Sequence, residues 1–141
     1  MTAREWTTRS PEDTQAAGAA FAAELTAPVA ALYGDLGSGK TCFVKGAARA
    51  LGVTDSVNSP TYALVNWYRG ARSVAHIDAY RLKSPGELFG LGFEDILAGG
   101  HLCFIEWADK VESFLPADTV RVRFTTVSDT ERRIEIVSSP F

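Results

Sequence analysis

The chain has no apolar run approaching the ~18 residues of a membrane span, and Met1 to Ser10 lacks the basic start and apolar stretch of a secretory signal. Both absences point to the cytoplasm, without a membrane partner. The two cysteines, Cys42 and Cys103, stand far apart with no CxxC spacing, so buried reduced thiols are expected rather than a disulfide. Histidine is as scarce: His76 and His101 form neither an HExxH pair nor a Cys/His cluster, and neither is assigned to a metal. Basic charge is not in excess. Lys and Arg number 14 against 17 Asp and Glu, and a net charge of −3 has the wrong sign for autonomous binding to nucleic acid. Repeats, low-complexity tracts and linkers are also missing. What remains is 141 residues, 46% of them hydrophobic, enough for a single domain spanning 1–141 around its own core.

Within that domain, Ser10-Pro11-Glu12-Asp13 reads as a helix start: Ser caps, Pro suits the first turn and acids suit the dipole. Ala17, Phe21 and Leu25 continue it at helical spacing, and the helix ends before Pro28. Val29 to Tyr33 is a short apolar run of the kind a buried strand requires. A second helix carries Phe43, Val44, Ala47, Ala48 and Leu51, with Gly52 placed for a left-handed C-terminal cap. Tyr62 to Tyr68 and Ser73 to Ile77 read as an antiparallel pair joined by Arg69-Gly70-Ala71-Arg72. Ser84 and Glu87 have capping-box spacing for a helical segment running towards Leu97. Leu102 to Ile105 is a central strand, and Val120, Val122, Phe124, then Ser128-Asp129-Thr130, then Ile134 and Ile136 form a C-terminal hairpin. The expected class is a three-layer α/β domain with a mixed parallel and antiparallel sheet.

The strongest chemical signal lies between the first strand and the second helix. Gly34-Asp35-Leu36-Gly37-Ser38-Gly39-Lys40-Thr41 matches GxxxxGK[ST] in full and in the strand-to-helix setting that the pattern requires. Glycines there let successive N–H groups turn inward, and the helix N-terminus adds partial positive charge, so the segment suits a polyphosphate. Lys40 is placed for the β- and γ-phosphates, and Thr41 brings a hydroxyl to magnesium. Such a loop needs a carboxylate at a neighbouring strand end, and Asp78 and Glu106 both qualify. One would hold magnesium while the other orients or deprotonates water. Ser59-Pro60-Thr61-Tyr62 is either a turn into a strand or a loop placing Thr61 near the γ-phosphate. Trp107 is either a core aromatic or a surface anchor.

Gly34 to Thr41, Ser59-Pro60-Thr61-Tyr62, His76-Ile77-Asp78-Ala79-Tyr80-Arg81-Leu82 and Ile105-Glu106-Trp107 together resemble, in order and spacing, the TsaE family, formerly YjeE. The resemblance covers most of the chain. It implies a P-loop ATPase of the tRNA threonylcarbamoyladenosine pathway that binds ATP and Mg2+ and hydrolyses slowly in support of TsaD and TsaB homologues, meeting tRNA only through that complex. It also implies that Lys40 and the loop backbone bind phosphates, that Thr41 and Glu106 bind magnesium, and that Asp78, Thr61 and Trp107 line the nucleotide and partner face. Thr14 and Arg133 match positions that look nucleotide-contacting. The chain departs from the commoner pattern at Ser38 (for Ala), Ala79 (for Leu) and Trp67 (for an acid), and the last removes any acidic contribution from that strand.

Three other functions use the same residues. A small-molecule kinase would need an acceptor pocket and a lid with arginines; Arg69, Arg72 and Arg81 exist, but the chain leaves little length for a lid. A GTP switch would need a guanine-reading NKxD, which is absent, and a glycine three residues beyond Asp78, where Arg81 stands. A nucleotide-bound regulatory subunit that does not hydrolyse would need only the loop.

Overall fold

The computed structural model describes residues 5–54 and 65–138. Thr61 and its neighbours Ser59, Pro60 and Tyr62 lie outside them. The elements run β1 (Glu5–Thr8), α1 (Pro11–Glu24), β2 (Val29–Tyr33), α2 (Lys40–Ala50), β3 (Val65–Tyr68), β4 (Val74–Asp78), α3 (Glu87–Gly90), α4 (Phe93–Ala98), β5 (Leu102–Glu106), a 3-10 segment (Ala108–Phe114), β6 (Val120–Thr126) and β7 (Arg132–Ser138).

α1 begins as its sequence demands: the Ser10 hydroxyl accepts the Asp13 amide at 3.0 Å, and the Asp13 carboxylate accepts the Arg9 amide at 3.0 Å. α2 ends at the expected glycine. Gly52 adopts φ 82°, and the Val53 and Gly52 amides fold back to the Ala48 and Arg49 carbonyls at 3.0 Å each. The two helices touch through glycine: a Cβ on Gly18 would lie 2.0 Å from the Phe43 carbonyl oxygen, and one on Gly46 would lie 1.8 Å from that of Gln15. Nothing larger than hydrogen fits there.

Among the described residues the strands form one sheet in the order β1-β7-β6-β2-β5-β4-β3. β6, β2, β5 and β4 are mutually parallel, while β3 and β7 run against their neighbours, giving the mixed sheet expected. The parallel strands β2, β4 and β5 are buried on both faces, which is why their sequences read as continuous apolar runs rather than alternating ones. One face packs Ala30, Leu32, Phe104, Val122 and Ile134 against Phe21 of α1 and Phe43 of α2. The other packs Ala31, Ile77 and Ile105 against Leu88, Phe93 and Ile96 of α3 and α4 and Val111 of the 3-10 segment. This is the three-layer architecture.

Three expectations change. The segment after Ser84 is two short helices, broken where Gly92 takes φ 82°. Ser84 does not cap it: α3 starts three residues later, and the Glu87 carboxylate accepts the Lys83 amide at 2.8 Å. β1, which extends the sheet beyond β7, and the 3-10 segment were not expected; Glu-Trp-Thr-Thr is too short and polar to register as a strand. Among the described residues no helix is long and apolar enough to cross a membrane.

Candidate functional site

β1, β2, β4, β5 and β6 all end on the same side of the sheet, and the segments that follow β1, β2, β5 and β6 line a cavity of about 450 Å3. Ligands of open α/β sheets gather at such strand ends. The floor is the segment joining β2 to α2. Gly37 and Gly39 turn it with φ of 78° and 104°, conformations that a side chain would strain, and α2 then starts at Lys40 without a side-chain cap. The helix therefore offers its first amides to the cavity. The Ser38 hydroxyl beside them is buried and has no hydrogen-bond partner among the described residues. An uncapped helix start, an unmatched buried hydroxyl and an ammonium together fit an anion, and a polyphosphate has the acceptors to satisfy all three.

That ammonium belongs to Lys40, which is 4% exposed. Its Nζ donates to the carbonyls of Gly34 and of Asp35, the latter at 3.1 Å, and lies 4.1 Å from the centre of the Trp107 ring. Burial lowers the Lys40 pKa below the ordinary lysine value, against the pull of Glu106, Asp35, Asp109 and Asp78. Trp107 is the one non-glycine residue with positive φ among those described, at φ 58° and ψ 42°. Such a conformation costs on the order of 1 to 3 kcal/mol. It follows Glu106 directly and turns the indole over Lys40, with the Tyr80 ring 4.9 Å away.

Glu106 ends β5 inside the cavity. Its Oε2 accepts the Thr41 hydroxyl at 2.9 Å and meets His76 Nε2. Burial alone would raise its pKa, but the His76 contact, the Thr41 hydroxyl and the Lys40 charge outweigh burial and hold the carboxyl below its usual range. A charged carboxylate beside a threonine hydroxyl at a phosphate loop is an oxygen donor pair that suits Mg2+.

Known proteins resemble this chain in sequence and fold. The family model described as threonylcarbamoyl adenosine biosynthesis protein TsaE matches residues 8–134. The chain belongs to the TsaE family. Two proteins named tRNA threonylcarbamoyladenosine biosynthesis protein TsaE are similar over most of it. The Treponema pallidum protein is 38% identical over 91% of this chain and 96% of its own length. The Bacillus subtilis protein is 39% identical over 92% of this chain and 82% of its own. The crystal structure of Bacillus subtilis YdiB superposes with a TM-score of 0.78 at 33% identity, covering 94% of this chain and 84% of that one.

Of the residues expected from the sequence, the TsaE fold brings Thr14, Leu36, Gly37, Ser38, Gly39, Lys40, Thr41, Glu106 and Trp107 to the cavity. Gly34 and Asp35 hold the Lys40 ammonium through their carbonyls. Thr14 is buried and shares a hydroxyl contact of 2.8 Å with Thr8. Asp78 stands opposite Glu106 in the sheet register, but it is outside the lining and accepts the Tyr80 amide at 2.9 Å. Burial pushes its carboxyl up, with Glu106 adding to the shift and the Tyr80 amide opposing it. Arg133 is exposed and reaches Glu5 at 3.6 Å, away from the cavity. Its neighbour Arg132 is the lining residue instead, donating to the Gly37 carbonyl at 3.2 and 3.3 Å. Strand alternation holds the signal: Arg132 shares a face with Ile134 and Ile136, whose burial points it towards α2. Arg9, from the turn after β1, also reaches the rim and pairs with Glu131 at 3.4 Å.

Proposed function

We propose that this TsaE family member binds ATP with Mg2+ and hydrolyses it slowly, in support of threonylcarbamoyl attachment to tRNA by a complex of TsaD and TsaB homologues. The observation that carries the reading is the pairing of Thr41 with Glu106 at the mouth of the glycine loop, next to a buried lysine. In this reading Lys40 leaves the Gly34 and Asp35 carbonyls for the β- and γ-phosphate oxygens, and the first amides of α2 and the Ser38 hydroxyl take the remaining oxygens. Thr41 and Glu106 hold the metal, which when bound draws charge from the phosphate oxygens.

Glu106 is the better metal ligand of the two acids because it faces the cavity and stays ionised. Asp78 accepts the Tyr80 amide and so helps hold the Tyr80 ring against Trp107; acting on water at the terminal phosphate would require its carboxylate to leave that amide. A site whose two lining arginines are already engaged, Arg9 with Glu131 and Arg132 with the Gly37 carbonyl, is expected to turn over slowly until a partner completes it. tRNA is met through that partner.

The test is ATP turnover by the purified chain, alone and with a TsaD and TsaB pair, with Lys40→Ala as the blank. Slow turnover alone and clear stimulation by the pair support the reading. Phosphorylation of a small hydroxyl compound, or tight ATP binding with no stimulation, would replace it with a kinase or a regulatory subunit.

A further inference from the structure

Glu106 has a partner that the phosphate-loop pattern does not contain. His76, in the middle of β4, is completely buried in a strand whose neighbours Val74, Ala75 and Ile77 are apolar. Packing alone would be met there by another aliphatic residue, since a buried imidazole costs free energy unless both of its nitrogens are matched. Both are. Nε2 meets Glu106 Oε2, and Nδ1 meets the Tyr68 hydroxyl at 3.0 Å. With the Thr41 bond at 2.9 Å, side chains from β3, β4, β5 and α2 form one line of hydrogen bonds, Tyr68 to His76 to Glu106 to Thr41.

The sheet dictates that line. His76 stands opposite Phe104, so Glu106, two residues on, is its diagonal neighbour on the same face; Tyr68, opposite Val74, is its diagonal neighbour on the other side. We propose that His76, itself held by Tyr68, is a positioning residue for the magnesium site: its Nε2–H fixes Glu106 Oε2 so that the carboxylate stays aimed at Thr41. The role rests on the magnesium-nucleotide reading above. It does not depend on the charge of the imidazole. A carboxylate only accepts, so Nε2 carries the proton in the neutral ring and in the cation alike, and the Tyr68 hydroxyl donates or accepts at Nδ1 to suit. Among the described residues, both hydrogen bonds of the carboxylate fall on Oε2, which sets the plane of the group and the direction of its other oxygen.

The test is a Mg2+ titration of fluorescent ADP binding by the wild-type chain and by His76→Ala, His76→Gln and Tyr68→Phe. Wild type is expected to bind more tightly as Mg2+ rises, and His76→Ala to need about 10-fold more Mg2+ for the same gain, with its metal-free affinity unchanged. His76→Gln, whose side-chain N–H reaches the Nε2 position, restores most of the loss, and Tyr68→Phe falls between. An unchanged Mg2+ midpoint in folded His76→Ala overturns the proposal while leaving the magnesium reading standing. Absence of any Mg2+ gain in wild type overturns both. Where His76→Ala does not fold, the wild-type protein decides by nitrogen-15 NMR of its two imidazoles. The buried Nε2–H of His76 must move when Mg2+ is added to the nucleotide complex, and an unmoved resonance overturns the assignment.

Discussion

Two parallel strands end side by side with an acid apiece, and the chain uses them differently. Asp78 and Glu106 are register partners at the tips of β4 and β5, on the same face, 8% and 5% exposed. Glu106 is met by a threonine hydroxyl, an imidazole and a nearby ammonium, and its carboxyl is stabilised as the anion. Asp78 is met by one backbone amide, and burial dominates, raising its pKa. Equal height in a sheet therefore does not make two acids equivalent. What separates them is the supply of donors, and that supply comes from α2 and from one histidine two residues before Asp78.

The comparison breaks first if the loop is not the phosphate site. Lys40→Ala should weaken nucleotide binding by about 10- to 100-fold, the worth of one or two charge-assisted hydrogen bonds, with an unchanged circular dichroism spectrum. Loss of the spectrum, or retained affinity, would remove the ground on which the two acids differ.

pH sharpens it next, because the two carboxyls shift in opposite directions. The folded chain holds the Asp78 proton above the ordinary value of 3.8, so just above that pH it binds more protons than the unfolded chain and loses stability as pH rises. Asp78→Asn removes that loss, and its denaturation midpoint should gain on wild type from pH 4 towards neutrality. Glu106 is the reverse: its stabilisation is present above 4.5 and disappears as pH falls through its depressed folded value. Glu106→Gln should therefore show a flatter acid limb in urea melts taken at a series of pH values. Curves bending the same way for both variants would mean that the acids share one environment.

The smallest effect is on cysteine. Cys42 follows Thr41, lines the cavity and donates to the Pro11 carbonyl at 3.2 Å, and burial raises its pKa. Cys103 is fully buried in β5. A thiol reagent at pH 8 should label Cys42 alone, more slowly than a free thiol, and bound ATP should slow it a few-fold further. Equal labelling with and without ATP would place the nucleotide elsewhere.

Much of this was legible in the sequence because it is written locally. The glycine loop, the Ser10 and Gly52 caps and the apolar strands each depend on residues within a few positions of one another. The two acids could be found but not ranked, since the donors that separate them arrive from strands and a helix far away in the chain. In the sequence His76 stands in the His76 to Leu82 block and fits no metal-ligand pattern, and neither reading gives it a role. Its role needs the β4 to β5 register, which no local pattern contains. Arg133 and Arg132 differ only in which face of β7 they occupy, and the buried Ile134 and Ile136 decide that face. β1 is four residues long and gains its identity from pairing with β7 at the opposite end of the chain.

The most direct measurement of the central claim is equilibrium binding of ATP with and without Mg2+ to the wild type, Glu106→Gln and Asp78→Asn, side by side. Magnesium should tighten binding to the wild type and to Asp78→Asn, while Glu106→Gln loses about 10-fold or more of that gain and keeps its metal-free affinity. An undiminished magnesium gain in Glu106→Gln, or its loss in Asp78→Asn instead, would contradict the assignment of the metal to Thr41 and Glu106.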